Sequence, residues 1–258
     1  MGSGIAQVCA QAGYRVTLMD TRSQALDKAV LGISSSIERL SKKGILQESP
    51  QELMARITAK TDLSDAHTAA WIIESVFEDE GLKRELFQEL DRVSLPQTPL
   101  ATNTSSVPIS RLADSLNHPE RVLGLHFFGP VPLMQLVEVV KGTQTSEDVF
   151  EQGVAFVTSL GKTPVRVSRD VPGFVMNRVF CAAFREALDL VARGVATPED
   201  VDAGMRLGYG WNAGPFEIAD NAGLDTILLI AKSLKALGAH DLAPNPELIA
   251  RMVAEGRL

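Results

Sequence analysis

Helical and strand patterns alternate through the first two thirds of the chain and then give way to helical patterns alone, and this change constrains the fold most strongly. Short apolar runs typical of strands, such as Arg15–Met19 and Val122–Phe127, are separated by segments of helical periodicity. This alternation predicts helices on both faces of a mainly parallel, doubly wound sheet. From Pro172 onward, helical segments are separated by Gly- and Pro-bearing turns. The sequence therefore predicts an α/β domain over residues 1–167 and an all-helical domain over residues 168–258.

The individual elements follow from the period of the apolar residues and from the positions of Gly and Pro. The predicted strands are 15–19, 70–76, 100–102, 122–127, 136–140 and 165–167. The predicted helices are 4–12, 23–43, a short helix from Ser49, 80–93, 108–116, 146–160, 173–193, 198–206, 215–237 and 246–255.

The composition argues against several functional classes. The 258 residues carry a formal net charge of -7 with scattered Lys and Arg, so no nucleic-acid partner is expected. No apolar run approaches the roughly 20 residues that a membrane span requires, and the start has no signal-peptide pattern. The two cysteines, Cys9 and Cys181, predict neither a disulfide framework nor a metal site, and they fit a cytoplasmic location.

A glycine-rich start and a later aspartate are typical of a dinucleotide site. Gly2 and Gly4 open the first predicted helix, and Asp20 ends the strand that follows it. In such sites the glycine turn lets the backbone approach a pyrophosphate, and an acid about 20 residues on binds the ribose 2′-hydroxyl. Asp20 would repel a 2′-phosphate, which favours NAD over NADP, although Arg22 leaves that preference open. The alternative is a small-residue helix on a sheet beside a solvated aspartate.

The first predicted helix has no strand pattern before it. In a doubly wound sheet the strand at this place is the central one, so we expect the first strand to be missing from this chain. The neighbouring strands would then carry unpaired backbone groups.

A histidine and a glutamate lie in two successive apolar runs, His126 in Leu125–Pro132 and Glu138 in Leu136–Val140. Histidine titrates near neutral pH, and a carboxylate that fixes its tautomer makes it a usable general base. The two residues therefore form a candidate catalytic pair. The alternative is a core histidine beside two Phe and a glutamate that marks a sheet edge.

Several ordered motifs together resemble the NAD-dependent L-3-hydroxyacyl-CoA dehydrogenases, and the resemblance spans essentially the whole chain. The motifs are Met1–Ala6, Asn103–Ser106, Leu125–Pro132 with Leu136–Val140, Asp170–Arg178, and Gly214–Glu217 with Gly223–Asp225. The resemblance implies a Rossmann-like NAD-binding domain followed by a helical domain that binds acyl-CoA substrate and forms a homodimer. It implies no metal.

The resemblance also implies roles for individual residues. His126 would be the general base and Glu138 its orienting partner. Ser105 would bond the 3-oxygen of the substrate, and Asn177 would help position the thioester end and the reacting carbon. The implied cofactor residues are Gly2 in the phosphate turn, Asp20 at the adenosine ribose, and Glu78, Lys83 and Asn103 near the nicotinamide half.

Simpler interpretations exist for several of these residues. Ser105 could cap the helix after Val107-Pro108, and Asn177 could lie on a helix surface. Glu78 and Lys83 could belong to a solvated helix start in which the acids suit the helix dipole.

The implied reaction is the NAD-linked oxidation of an L-3-hydroxyacyl-CoA, such as 3-hydroxybutyryl-CoA, to the 3-ketoacyl-CoA, or its reverse. One alternative is a related dehydrogenase of a free small hydroxy acid or sugar acid, because the catalytic pair does not sense the rest of the substrate. Another is a truncated, inactive homologue that dimerises through its helical domain. The chain stops at Gly256-Arg257-Leu258, where members of the family usually continue.

Overall fold

The computed structural model describes residues 1–254, apart from the side chain of Met252. The chain divides into two compact units, Met1–Asp170 and Val171–Leu258. The predicted boundary after residue 167 lies three residues before this division. Within residues 1–254, no helix combines the length and the apolar character that crossing a membrane requires.

The first unit alternates helices and strands. In chain order it contains α1 (Gly2–Gln11), β1 (Val16–Met19), α2 (Ser23–Lys42), α3 (Pro50–Met54), β2 (Ile57–Lys60), β3 (Ile72–Glu74), α4 (Glu80–Val93), β4 (Leu100–Thr102), α5 (Ile109–Ala113), β5 (Val122–Phe127), β6 (Leu136–Lys141), α6 (Glu147–Ser159) and β7 (Thr163–Val167). Short 3-10 helices lie at Ala66–Thr68 and Pro119–Arg121.

The second unit is helical over its described residues. It contains α7 (Met176–Ala192), α8 (Pro198–Tyr209), α9 (Pro215–Ala222), α10 (Leu224–Ala236) and α11 (Pro246–Ala254). The last predicted helix was expected to reach residue 255, which lies outside the described residues together with 256–258.

Helices in both units start at residues whose side chains satisfy the first free N–H groups. Ser49, Asp79, Ser146 and Thr197 each accept a hydrogen bond from a backbone N–H in the first turn. Such caps stabilise a helix by roughly 1 kcal/mol each, so the sequence fixes these starts locally.

The strands form two sheets. A five-stranded sheet has the order β3-β4-β5-β6-β7, and β1 pairs in parallel with β2 in a separate sheet. Neighbouring strands of the larger sheet are parallel except β5 and β6, which are antiparallel. The prediction of a mainly parallel sheet with helices on both faces is confirmed. Within the described residues β1 and β3 belong to different sheets.

Helix α1 packs in the same apolar core as strands of both sheets. Residues Ile5, Val8 and Cys9 of α1 belong to the main apolar core, against which both Val16 of β1 and Ile73 of β3 also pack. The other buried members of this core come from β4, β5, β6 and α6 and from Val131 in the loop between β5 and β6. The start of α1 therefore lies near the point between the two sheets at which the strand order reverses. In open α/β folds this switch point is the usual place for a ligand.

Two details differ from the predicted elements. Strand β2 was not predicted, because its sequence Ile-Thr-Ala-Lys is short and half polar, and pairing with β1 rather than an apolar pattern defines it. The helix predicted over 215–237 is two helices, α9 and α10, that meet at Gly223. Its φ of 85° is a left-handed value that ends α9 although the helical periodicity continues.

The glycines at the start of α1 differ in how much space surrounds them. A Cβ at Gly4 would lie 2.9 Å from Cβ of Val131, whereas a Cβ at Gly2 would make an ordinary contact at 3.6 Å with Ser75. We expect Gly4→Ala to lower the free energy of unfolding by about 1 to 2 kcal/mol through overpacking. Gly2→Ala is the matched control and should change it by less than about 0.5 kcal/mol. Urea unfolding of both variants tests this, and equal midpoints would contradict it.

Candidate active site

The pairing of β5 with β6 brings His126 and Glu138 together. The two residues are direct partners in the antiparallel register, and His126 Nδ1 lies 2.7 Å from Glu138 Oε2. Their side chains are 9% and 0% exposed. An ionised carboxylate only accepts hydrogen bonds, so Nδ1 donates this bond and Nε2 is the nitrogen that can take a proton.

Alternation along the two strands explains why this pair lies on one face. Leu125, Phe127, Val137 and Val139 face the main apolar core on the α1 and α6 side. His126 and Glu138 alternate with these residues and therefore face the other side of the sheet, where Ile109 of α5 approaches Gly124. The ring of Phe128 lies against the imidazole, with centroids 4.6 Å apart at an angle of 54°. His126 is therefore held between a carboxylate and an aromatic ring.

Asn103 ties together the carboxyl ends of three strands. Its backbone N–H donates to Glu74 O at 2.8 Å, and its side-chain Oδ1 accepts from the N–H of Phe127 at 2.9 Å. Its Nδ2 donates to Ser75 Oγ at 3.4 Å. This predicted cofactor residue thus also fixes the strand end that carries His126.

Ser105 lies in a loop whose shape is set by Glu78. Oxygen Oε1 of Glu78 accepts hydrogen bonds from the N–H groups of Ser105 and Ser106 at 2.9 and 3.0 Å, and from Ser106 Oγ at 2.9 Å. It also accepts from the hydroxyl of Thr104. The residue at the N-cap of α5 is Pro108, so the interpretation of Ser105 as the cap of this helix is wrong.

Glu78 remains charged in this position. Burial alone would raise the pKa of Glu78, but Lys83 and the hydrogen bonds from Thr104, Ser105 and Ser106 outweigh that effect and hold the pKa below its ordinary value.

Lys83 is buried, and the interpretation of this segment as a solvated helix start is wrong for it. Its ammonium lies 2.7 Å from Glu74 Oε1, 3.2 Å from Glu78 Oε2 and 3.5 Å from Val76 O. Its side chain is 1% exposed. Sequence reasoning missed Glu74, although an acid that ends the apolar run Ile72-Ile73 gives the same kind of signal as Glu138.

The residues predicted for the adenosine half lie at the start of α1 and at the end of β1. Gly2 is the first residue of α1, whose first turn has no acidic side chain, and it neighbours Ser75. Asp20 accepts from the N–H of Arg22 at 2.9 Å, and its side chain is 37% exposed. A helix N-terminus with a glycine and an accessible carboxylate at a strand end fit the pyrophosphate and ribose of a dinucleotide.

Comparison with known proteins identifies the family. The family model "3-hydroxyacyl-CoA dehydrogenase, NAD binding domain" matches residues 1–171, and the model of the C-terminal domain matches residues 173–258. The chain belongs to the NAD-dependent 3-hydroxyacyl-CoA dehydrogenase family. The resemblance seen in the sequence, the use of NAD and the assignment as an oxidoreductase are thereby confirmed.

Individual relatives are similar over nearly all of the dehydrogenase chain. A protein of Deinococcus radiodurans named "Probable 3-hydroxybutyryl-CoA dehydrogenase" is 41% identical over 259 residues, which cover 100% of this chain and 92% of that protein. The human mitochondrial hydroxyacyl-coenzyme A dehydrogenase is 38% identical, with coverages of 100% and 84%. The crystal structure of (S)-3-hydroxybutyryl-CoA dehydrogenase from Ralstonia eutropha is 38% identical, has a TM-score of 0.91, and is matched over 99% of this chain and 90% of that one.

The dehydrogenase fold gathers most of the predicted site residues at one edge. His126, Asn103, Ser105, Glu78 and Lys83 lie at or beyond the carboxyl ends of β3, β4 and β5, and Glu138 lies opposite His126. Gly2 adjoins this edge through Ser75, and Asp20 lies at the end of β1. Asn177 belongs to the first turn of α7 in the second unit and is half-buried. Among the described residues, no three His, Cys, Asp or Glu side chains are arranged to hold a metal ion.

A buried lysine that the sequence did not reveal supports the loop between β5 and β6. Lys162 Nζ donates to the carbonyls of Val131 and Met134 at 2.8 and 2.6 Å. Burial lowers the pKa of Lys162, and the nearby Cys9 opposes this shift. The lysine thus closes the segment that joins the strands of His126 and Glu138.

Removing this ammonium would leave two carbonyls of the loop without their donor. We expect Lys162→Met to lower the free energy of unfolding by about 2 kcal/mol, because unsatisfied buried polar groups are costly. The control is Lys28→Met, at an exposed position within α2, and its effect should stay below about 0.5 kcal/mol. Chemical denaturation measures both, and a Lys162 variant as stable as its control would show that these bonds matter little.

Proposed function

We propose that this chain transfers a hydride between C3 of a short-chain L-3-hydroxyacyl-CoA, such as 3-hydroxybutyryl-CoA, and NAD, with the 3-ketoacyl-CoA as the oxidised product. The observation that carries the proposal is the buried pair of His126 and Glu138, with 2.7 Å between Nδ1 and Oε2. Oxidation of a secondary alcohol needs a base for the hydroxyl proton while the hydride leaves carbon. The names of the relatives supply the substrate class.

In the proposed reaction, His126 Nε2 takes the proton of the 3-hydroxyl group as the C3–H bond breaks and the C–O bond becomes a carbonyl. Bound NAD supplies the hydride acceptor. Glu138 stabilises the imidazolium that forms, because its carboxylate is desolvated and already bonded to Nδ1. Ser105 donates a hydrogen bond to the 3-oxygen and so aligns it with the base. In the reverse direction His126 returns the proton.

The remaining site residues keep the roles that the resemblance implies. Gly2 and Asp20 bind the pyrophosphate and the adenosine ribose, and Asn103 approaches the nicotinamide half. The resemblance also places Glu78 and Lys83 near the nicotinamide half. Their contacts support a second role, which is to hold the loop that carries Ser105, because the two groups pair with each other and Glu78 bonds that loop. Asn177 helps to position the thioester end of the substrate.

We further propose that the chain forms a homodimer through the helical unit, residues 171–258, and that this unit also helps to bind the acyl-CoA substrate. Leu207, Tyr209 and Leu229 support this assembly, because they are 88%, 80% and 67% exposed.

We place the enzyme in the cytoplasm, where free thiols stay reduced. Cys9 and Cys181 are free and buried, and burial raises the pKa of each thiol to about 12.

Removal of the base tests the proposed role of His126. We expect His126→Ala to lower kcat by about 1,000-fold, since general base catalysis contributes on that order, while the Kd of NADH changes less than about twofold. Stopped-flow absorbance and NADH fluorescence give the two quantities. His67→Ala is the control, because His67 is exposed and bonds only the local carbonyl of Ser64 in the described contacts. A parallel loss of NADH affinity in the His126 variant would instead indicate a structural role.

A comparison of substrates tests the CoA class. We expect kcat/KM for L-3-hydroxybutyryl-CoA to exceed that for free L-3-hydroxybutyrate by at least about 100-fold, because contacts to the remote CoA group contribute to transition-state binding. NADH formation measured with both substrates at equal enzyme concentration decides this. Equal values would favour the dehydrogenase of a free hydroxy acid.

A further inference from the structure

The carboxylate of Glu74 is the start of two hydrogen-bond paths that reach the same loop. It contacts none of the groups proposed to bind the substrate. Glu74 is the last residue of β3, and its side chain is fully buried. The loop Asn103–Ser106 follows β4 and carries Ser105, which the proposed function assigns to the 3-oxygen of the substrate. Because both paths end on this loop, its shape depends on a residue remote from the chemistry.

The first path runs through Lys83 and Glu78. Oxygen Oε1 of Glu74 lies 2.7 Å from Lys83 Nζ, and the same ammonium lies 3.2 Å from Glu78 Oε2. The other oxygen of Glu78 accepts from the N–H groups of Ser105 and Ser106. Glu78 is 37% exposed whereas Lys83 and Glu74 are buried, so the path leads from the interior to the rim of the site.

The second path runs through a threonine hydroxyl. Thr102 Oγ1 donates to Glu74 Oε2 at 2.6 Å and accepts from the N–H of Thr104 at 3.1 Å. Thr102 is fully buried. The two oxygens of one carboxylate thus support the loop through separate contacts, one through the ion pair with Lys83 and one through the hydrogen bond from the Thr102 hydroxyl.

The charges explain why Glu74 governs the first path. Lys83 is a buried ammonium, and a buried charge that loses a partner carries a large desolvation penalty. Without the Glu74 charge, Lys83 keeps only Glu78 as an ionic partner among the described contacts. The ammonium and Glu78 would then rearrange together, and the N–H groups that Glu78 holds would move with it.

We propose that Glu74 is a positioning residue of this dehydrogenase, which sets the place of the Ser105 hydroxyl through Lys83 and Glu78 and through Thr102. The effect on catalysis rests on the proposed function, whereas the effect on the loop does not. Glu74 itself contacts neither substrate nor cofactor in this proposal.

A second buried ion pair in the same unit supplies a matched control. Asp91 and Arg121 have side chains that are 1% and 2% exposed, and Arg121 Nη2 lies 2.7 Å from Asp91 Oδ1. Arg121 directly precedes β5, so this pair lies at the amino end of that strand, away from the loop Asn103–Ser106. Asp91→Asn therefore removes a comparable buried charge without touching either path.

Hydrogen exchange tests the loop independently of any activity. We expect the backbone amides of residues 104–107 to exchange at least about 10-fold faster in Glu74→Gln than in the wild type, while those of α6 stay unchanged. In Asp91→Asn the 104–107 amides should keep the wild-type rate. Unchanged exchange at 104–107 in Glu74→Gln, or equal acceleration in both variants, would overturn the proposal even if the proposed substrate were wrong.

Kinetics test whether the loop matters through Ser105. We expect Glu74→Gln to lower kcat with 3-hydroxybutyryl-CoA by about 10- to 100-fold, as displacement of a positioning group does. In a Ser105→Ala background the same substitution should have little further effect, because the hydroxyl that it displaces is gone. Independent, multiplicative losses would overturn the positioning role. An inactive wild type with the expected exchange pattern would refute only the proposed function.

Thr102→Val covers the case in which Glu74→Gln does not fold. Valine has nearly the shape of threonine and changes no charge, so it interrupts the second path alone. We expect about 10-fold faster exchange at 104–107 and a kcat loss of about 3- to 10-fold that disappears in the Ser105→Ala background. Wild-type exchange and kcat in Thr102→Val would overturn the proposal.

Discussion

The antiparallel register of β5 and β6 is the constraint on which the proposed catalytic pair, His126 and Glu138, depends. It sets His126 directly opposite Glu138 in a sheet whose other neighbouring strands are parallel. A slip of one residue would turn Glu138 toward the apolar core and move Val137 or Val139 to the imidazole. Because the core residues of both strands resist that slip, the same packing that stabilises the sheet also holds His126 and Glu138 in register.

Buried ion pairs in the first unit lie at both ends of the strands. The pair at the amino end supports the packing, whereas the pair at the carboxyl ends lies beside the proposed site. The pair of Asp91 and Arg121 closes the amino end of β5, where Arg121 also donates to backbone carbonyls. Glu74 and Lys83 lie at the carboxyl ends, beside the loop Asn103–Ser106. In open α/β sheets ligands bind at the carboxyl ends of the strands, so the buried charges there lie beside the loops that we propose to hold the substrate.

The sequence predicted those parts of the structure that local patterns determine. An acid and a histidine in two successive apolar runs indicated His126 and Glu138 as a candidate pair, and the structure places them side by side. Their proposed roles came from the family resemblance. The features that the sequence did not predict depend on contacts between distant segments. Strand β2 forms because it pairs with β1, and Lys83 is buried because it forms an ion pair with Glu74 on another element. Gly223 ends a helix through a backbone angle that apolar periodicity does not reveal. Charge in a segment such as Glu78–Glu85 does not by itself distinguish a solvated surface from a buried ion pair.

Packing links the start of α1 to the loop between β5 and β6. In the described residues β1 and β3 belong to separate sheets, so no ladder of hydrogen bonds aligns them. Gly4 instead lies against Val131, in the loop that joins β5 to β6, and Lys162 bonds the carbonyl of Val131. The helix end that suits a pyrophosphate and the strands that carry His126 and Glu138 therefore contact one loop. A substitution that displaces this loop is therefore expected to affect both the proposed cofactor turn and the proposed catalytic pair.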